Sequence, residues 1–235
     1  MITRKTTNSS VDFETGEVVL IDKYEGFSSF GAVHIVRKTT KVKKVGHAGT
    51  LDPKATGLLI ICTGRKTKTI HEFQELAKEY TGTFELGKRT ASMDSETEFT
   101  EENSIDGITE ADIFRTRDKF LGEIEQVPPM YSAVKYGGKA LYKFARKGRT
   151  VERFAREVTV YEFEITGIEL PVISFRIKCS KGTYIRVIAD DFGQLLGCGA
   201  YLTSLRRTAI GPYRVEDALT VDEFRDTFQQ QVKEV

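Results

Sequence analysis

Nothing in this chain reads as a metal- or disulfide-held scaffold. Its 235 residues include only three cysteines and three histidines, and no C-x-x-C pair occurs, so a metal centre is unsupported. Cys62, Cys179 and Cys198 lie in apolar or glycine-rich stretches, the setting of reduced, buried thiols, which predicts a cytoplasmic protein. No apolar run approaches the length needed to cross a bilayer, and the Met1-Ile2-Thr3-Arg4-Lys5 start is not followed by the apolar stretch of a leader. Repeats and low-complexity linkers are missing too. What remains, 40% hydrophobic and 29% charged, is the composition of an ordinary globular protein large enough for one sizeable core.

A large excess of one charge is also lacking. The formal net charge of +1 argues against a uniformly basic nucleic-acid binder, but the charges are segregated along the chain. Arg37, Lys38, Lys41, Lys43 and Lys44 form one basic run, and Arg65, Lys66 and Lys68 form another. A third comprises Lys135, Lys139, Lys143, Arg146, Lys147, Arg149, Arg153 and Arg156. Residues 94–112 carry eight acids and no Lys or Arg. Such runs can be solvated faces; they can also be a phosphate-binding side backed by an acidic one.

Between the first two basic runs lies the most informative segment, Gly46-His47-Ala48-Gly49-Thr50-Leu51-Asp52-Pro53-Lys54-Ala55-Thr56-Gly57. Its glycines permit unusual backbone angles and close approaches, and Pro53 stiffens the chain beside the only carboxylate. The run Leu58-Leu59-Ile60-Ile61-Cys62 reads as a buried strand that would pin the segment, so Asp52 is predicted to sit on a fixed loop. An Asp-Pro turn of no further consequence is the plain alternative.

The remaining pattern predicts mixed α and β structure. Ser28 or Ser29 caps a helix with Phe30, Val33 and Val36 on its inward face. Residues 157–166 and 172–180 read as strands, the second burying Ile173, Phe175, Ile177 and Cys179. Residues 187–196 read as a helix with Phe192, Leu195 and Leu196 inward and Gly197 as its stop. Thr220-Val221-Asp222-Glu223 is a capping-box pattern before a stripe of Val221, Phe224 and Phe228.

The segment around Asp52 closely resembles the G-H-x-G-x-L-D-P-x-A-T-G signature of the TruB family, the bacterial tRNA pseudouridine-55 synthases. Other stretches resemble the family in the same order. Asp22-Lys23-Tyr24-Glu25-Gly26-Phe27-Ser28-Ser29 is similar to its opening D-K-P-x-G-x-[ST]-S, although Tyr24 replaces the usual proline. Lys78-Glu79-Tyr80 is similar to the segment bearing its active-site tyrosine. Pro128-Pro129-Met130-Tyr131-Ser132-Ala133-Val134-Lys135 with Gly138-Lys139-Ala140-Leu141-Tyr142 and Ala145-Arg146-Lys147-Gly148, then Cys179-Ser180-Lys181-Gly182-Thr183-Tyr184-Ile185-Arg186, similar to a family strand that would end at Arg186, and Leu202-Thr203-Ser204-Leu205-Arg206-Arg207-Thr208, in which Leu205 reads as a helical leucine, complete the set.

The resemblance implies an α+β pseudouridine-synthase fold, a central, largely antiparallel mixed sheet flanked by helices, with a basic thumb-like insertion over about residues 125–156. It implies a single catalytic domain over residues 1–235 with a short helical tail, too short for the C-terminal RNA-binding (PUA) domain of many relatives. The implied activity is isomerisation of uridine 55 in the T loop of tRNA, with no cofactor, no metal, no membrane and no obligatory protein partner. Asp52 would be the nucleophile, attacking the uracil ring or the ribose; Arg186 would pair with it, and Tyr80 would stack on the extruded base and relay the proton. His47, Leu205, Lys23, Gly49, Thr50, Lys135, Lys139 and Arg146 would bind substrate. Two other readings remain: a guide-RNA-dependent catalytic subunit related to dyskerin, and a non-catalytic tRNA-binding or folding module. Thr63-Gly64-Arg65-Lys66-Thr67 resembles a phosphate loop only superficially, since arginine stands where lysine is required and the upstream glycine is missing.

Overall fold

The computed structural model describes residues 1–6 and 11–231, with side chains through residue 229. In chain order it runs β1 (Val18–Lys23), α1 (Ser29–Thr40), β2 (Val45–His47), β3 (Thr56–Thr63), a 3-10 turn (Gly64–Thr69), α2 (Ile70–Glu75) and β4 (Lys78–Leu86). Then come β5 (Lys88–Thr90), β6 (Phe99–Glu102), α3 (Glu110–Asp118), β7 (Gly122–Gln126), β8 (Lys135–Tyr136), β9 (Lys139–Ala140) and α4 (Tyr142–Ala145). The chain continues through β10 (Arg156–Glu169), β11 (Val172–Cys179), α5 (Ile185–Leu196), β12 (Ala200–Ile210), β13 (Tyr213–Arg214), β14 (Leu219–Thr220) and α6 (Val221–Gln231). This is the mixed α+β class expected.

Two compact units divide the chain, residues 1–80 with 205–235, and residues 81–204. In the first, β1 pairs antiparallel with β3 from Val18↔Cys62 to Lys23↔Gly57, while β14 and the end of β12 add parallel neighbours to β1 and β3. Alternation explains why this apolar run is continuous: successive side chains of β3 point to opposite faces, and both faces are covered. Leu59 and Ile61 join Val19 and Ile21 against Val33, Val36, Phe224 and Phe228. Leu58, Ile60 and Cys62 pack on the other side with Phe73, Ile210 and Val215. Burial pushes the Cys62 thiol up to about 12, so it stays a protonated core group.

The second unit pairs β11 with β10 and β10 with β7, all antiparallel. Ile173, Phe175, Ile177 and Cys179 are buried as the alternation predicts. Its core is aromatic: Phe192 lies 4.9 Å from Phe84, 5.8 Å from Phe120 and 6.1 Å from Phe163. Residues 125–156 contain the short β8–β9 ribbon and α4, with Lys135, Lys139 and Arg146 exposed.

Five local expectations change. Phe30 is not inward: it is 76% exposed, because Ser28 caps α1 and starts the helix with Phe30 on its outer side. Leu195 is 51% exposed, since α5 turns Phe192 and Ile188 to the core instead. Arg186 is not at a strand end but in the first turn of α5, buried, with its guanidinium 4.0 Å from Asp94 and 3.5 Å from the Ser92 carbonyl. Asp94 is consequently buried and not part of a solvated acidic face. Leu205, read as helical, lies half-buried in β12. The Thr220/Glu223 box is present, with reciprocal bonds of 3.1 and 2.7 Å.

Candidate active site

Asp52 sits half-buried in the irregular segment between β2 and β3. Backbone this irregular cannot hold itself, because its N–H and C=O groups have no ladder to join. Three buried side chains from three other elements supply the missing partners. The Ser29 hydroxyl, at the start of α1, donates to the Leu51 carbonyl at 3.0 Å and accepts from the Leu51 N–H at 2.9 Å. The Lys23 ammonium, at the end of β1 and fully buried, donates to the carbonyls of Phe27 at 2.7 Å, Tyr24 at 3.0 Å and Pro53 at 3.3 Å. Arg207 on β12 is 1% exposed and donates to the carbonyls of Leu58 at 2.7 Å, Gly49 at 3.2 Å and Thr50 at 3.4 Å. Residues on both sides of Asp52 are thereby fixed.

Gly57 closes this arrangement. Its φ is +100°, and a Cβ there would lie 2.3 Å from the Arg207 carbonyl oxygen. Only glycine lets β3 start this close to β12 and so brings the guanidinium under the loop. Beside it, Arg206 grips Asp22 through two bonds of 3.1 and 2.7 Å.

Two buried cations under one acid shape its electrostatics. Burial pushes the Lys23 ammonium down to about 8, Asp52 opposing the shift and Arg207 adding to it. Burial likewise lowers the His47 imidazole, the Gly49 backbone opposing and Arg207 adding. His47 Nδ1 is buried without a hydrogen-bond partner among the described residues, and the ring meets the exposed Phe30 edge-on at 5.5 Å. Tyr24, in the family's proline position, is exposed and stacks on Phe27 at 4.9 Å.

The Lys23 shift has a signed consequence. Between about pH 8 and 10.5 the unfolded chain holds this proton and the folded chain does not, so this group's contribution to stability rises with pH there. The loop responds in the opposite sense, because a neutral amine has two donors for three carbonyls. Turnover is expected to fall above about pH 8 with no matching fall in melting temperature. Parallel pH–rate and pH–melting series check this; an alkaline limb that survives in Lys23→Met would assign it elsewhere.

Asp52, Lys23, His47, Gly49, Thr50, Tyr80 and Leu205 belong to the first unit. Tyr80 is buried on β4, and the Leu205 carbonyl lies 3.5 Å from the Thr56 hydroxyl. Arg186, Lys135, Lys139 and Arg146 belong to the second unit. There the Arg146 guanidinium lies over the Tyr142 ring at 5.5 Å, and Tyr136 meets Phe144 edge-on at 6.2 Å, cations and aromatic rings side by side. Ser29, Arg207 and Phe30 are the residues that sequence reasoning missed. Ser29 and Arg207 each had a signal, their places within the Asp22–Ser29 motif and within Leu205-Arg206-Arg207-Thr208.

Comparison with known proteins shows the family. The family model "TruB family pseudouridylate synthase (N terminal domain)" matches residues 37–185, and "tRNA pseudouridylate synthase B C-terminal domain" matches residues 186–235. The chain is 50% identical to tRNA pseudouridine synthase B of Flavobacterium johnsoniae, over 93% of this chain and 98% of the relative. It is 46% identical to that of Phocaeicola vulgatus, over 96% and 99%. Among solved structures, a chain of a Cbf5-Nop10-Gar1 complex superposes with a TM-score of 0.73 at 29% identity, covering 95% of this chain and 57% of that one.

Proposed function

Since the chain belongs to the TruB family of pseudouridylate synthases, we propose that it converts uridine 55 in the T loop of tRNA to pseudouridine, with Asp52 as the nucleophile. The isomerisation of tRNA uridine itself follows from membership and from relatives about half identical over their whole length. The observation that carries the role of Asp52 is the clamp: Lys23, Ser29 and Arg207 all bond the backbone on either side of one acid.

The reaction breaks the bond between uracil N1 and ribose C1′, turns the base, and forms a C5–C1′ bond; the C5 proton leaves and N1 regains one. Bonds and electrons balance without an oxidant or group donor. A carboxylate beside buried cations attacks either the ring, which tethers the base, or C1′, which holds the ribose while the surrounding pocket retains the freed base. Tyr80 stacks on the extruded base and accepts or relays the C5 proton. Residues 125–156 grip the RNA, with Lys135, Lys139 and Arg146 on phosphates and neighbouring aromatic rings on bases.

Purified protein incubated with a T-arm stem-loop tritiated at uracil C5 tests this reading. Release of many equivalents of tritium per protein, without added guide RNA, is the expected result. A second reading is guide-dependent catalysis by a dyskerin-like subunit; release only when a guide is present would select it. Tight binding with no release under either condition would leave a non-catalytic RNA-binding module.

Extruding the uridine costs a few kcal/mol, and rings near the loop help to offset it. Phe30 is the most exposed of them at 76%. Phe30→Ala is expected to weaken RNA binding at least fivefold, the low end of about 1–3 kcal/mol for one stacked base, with an unchanged melting temperature. Phe30→Tyr should bind normally. Equal affinity of the Ala variant and wild type in a filter-binding titration would remove the ring from the interface.

A further inference from the structure

Lysine is rarely buried, because taking its ammonium out of water is costly unless its donors find acceptors. Two lysines are buried among the described residues, Lys23 and Lys78. Lys23 steadies the Asp52 loop. Lys78 opens β4, two residues before Tyr80, and the chemistry above gives it nothing to do. Its printed partners lie at the end of α2. The last carbonyls of a helix lack an intrahelical N–H, and α2 stops abruptly at Leu76, whose φ of −63° and ψ of 149° turn the chain toward β4. The Lys78 ammonium donates to the carbonyls of Gln74 at 2.5 Å, Leu76 at 2.6 Å and Phe73 at 3.4 Å. A side chain of the strand thereby closes the helix that leads into it.

The same entry is held from the other side. The Gly211 N–H donates to the Ala77 carbonyl at 2.8 Å, and a Cβ on Gly211, whose φ is +54°, would lie 2.9 Å from Leu76 Cδ1. The Glu79 carboxylate accepts from the Thr208 hydroxyl at 2.8 Å and lies 3.6 Å from the Arg214 guanidinium. Residues 76–79 are thus tied one after another to α2 and to the chain around β12 and β13. Strand alternation puts Lys78 and Tyr80 on one buried face and the half-buried Glu79 on the other. The ammonium and the ring sit one strand repeat apart, roughly 7 Å, so a shift of the first is carried by the backbone to the second. An apolar side chain at 78 would keep the burial pattern; what it would lack is a set of donors for three carbonyls that meet at one point.

We infer that Lys78 is a positioning residue for Tyr80: by gathering the closing carbonyls of α2 it fixes where β4 begins, and with it the depth at which the tyrosine meets the extruded base. This rests on the role proposed above for Tyr80 and adds to it a residue that acts from inside the fold. A cap that served folding alone would change unfolding and leave turnover of the folded protein as it is.

The test compares Lys78→Met and Lys78→Arg with wild type on the tritiated T-arm stem-loop. The Met variant keeps the length of the side chain and loses the donors. The Arg variant keeps charge and donors, so it folds, but its planar fork cannot bring three donors to one point. Well below its melting midpoint, Lys78→Met is expected to hold KM within about twofold and to lose about 10²-fold in kcat, the cost of misplacing a group by about 1 Å. Lys78→Arg should show the same split with a loss of about tenfold. A double-mutant cycle in single-turnover tritium release is the second readout. Tyr80→Phe alone loses the proton relay, about 10²–10⁴-fold. Adding Lys78→Met to it should cost less than about threefold more, because both changes remove one function. Should the Met variant not fold, the Arg variant carries both measurements. Losses that multiply in the cycle would place Lys78 off the path to Tyr80. A wild-type kcat in the Lys78 variants, or a loss confined to KM or to melting temperature, likewise overturns the inference. Wild-type protein that releases no tritium contradicts the catalytic reading before any variant is compared, so the two failures are distinct.

Discussion

Asp52→Asn is expected to lower tritium release by at least about 10⁴-fold while leaving RNA affinity within about twofold. Removing a covalent nucleophile costs a rate factor of this size because the remaining groups can bind and orient the substrate but cannot hold the intermediate. The substitution is close to isosteric, and the backbones of Leu51, Pro53, Gly49 and Thr50 hold the loop through bonds to Ser29, Lys23 and Arg207. Geometry should therefore survive, and single-turnover kinetics should separate lost chemistry from lost binding. A second readout follows from charge. Asp52 is what opposes the downward shift of the Lys23 ammonium, so in the Asn variant Lys23 should titrate below about 8. Full activity in Asp52→Asn would remove the side chain from the mechanism.

The candidate loop was legible because its pattern is local: a single carboxylate among glycines and a proline, followed by a strand pattern, is written in consecutive residues. The same holds for β11, whose alternation from Ile173 to Cys179 is reproduced, and for the Thr220–Glu223 cap, which spans one turn. The clamp was not legible, since it joins residues 22 to 158 positions apart in the chain. A fully buried arginine also contradicts what composition teaches, for charged groups are almost always exposed unless they find partners. Its partners here are carbonyls, which every residue carries, so no pattern marks them. Arg186 failed differently. The sequence before it looks like a strand running on, and Cys179 does end β11. A turn then intervenes, and Ile185 and Arg186 begin a helix whose apolar stripe runs beyond them. Phe30 misled because helical periodicity places it near Val33, while the Ser28 cap sets the helix with its outer face starting at that ring.

The larger structural effect is expected at Arg207. Arg207→Met removes a guanidinium that is 1% exposed and leaves the carbonyls of Leu58, Gly49 and Thr50 without those bonds. Each buried acceptor stripped of its partner costs about 1–3 kcal/mol, so a loss on the order of 3–5 kcal/mol is expected in denaturant unfolding. Relief of the charge that presses on Lys23 recovers a fraction of this, since Arg207 lowers the Lys23 ammonium. Arg207→Lys separates positioning from folding. It retains the charge, but an ammonium cannot span three carbonyls as the planar fork does. That variant should remain folded with a similar KM, while kcat falls about 10²-fold, the cost of displacing a catalytic group by about 1 Å. A lysine variant whose kcat matches wild type would show that the loop keeps its shape without the fork. A variant that loses KM and kcat in equal measure would place Arg207 on the bound RNA rather than beneath the nucleophile.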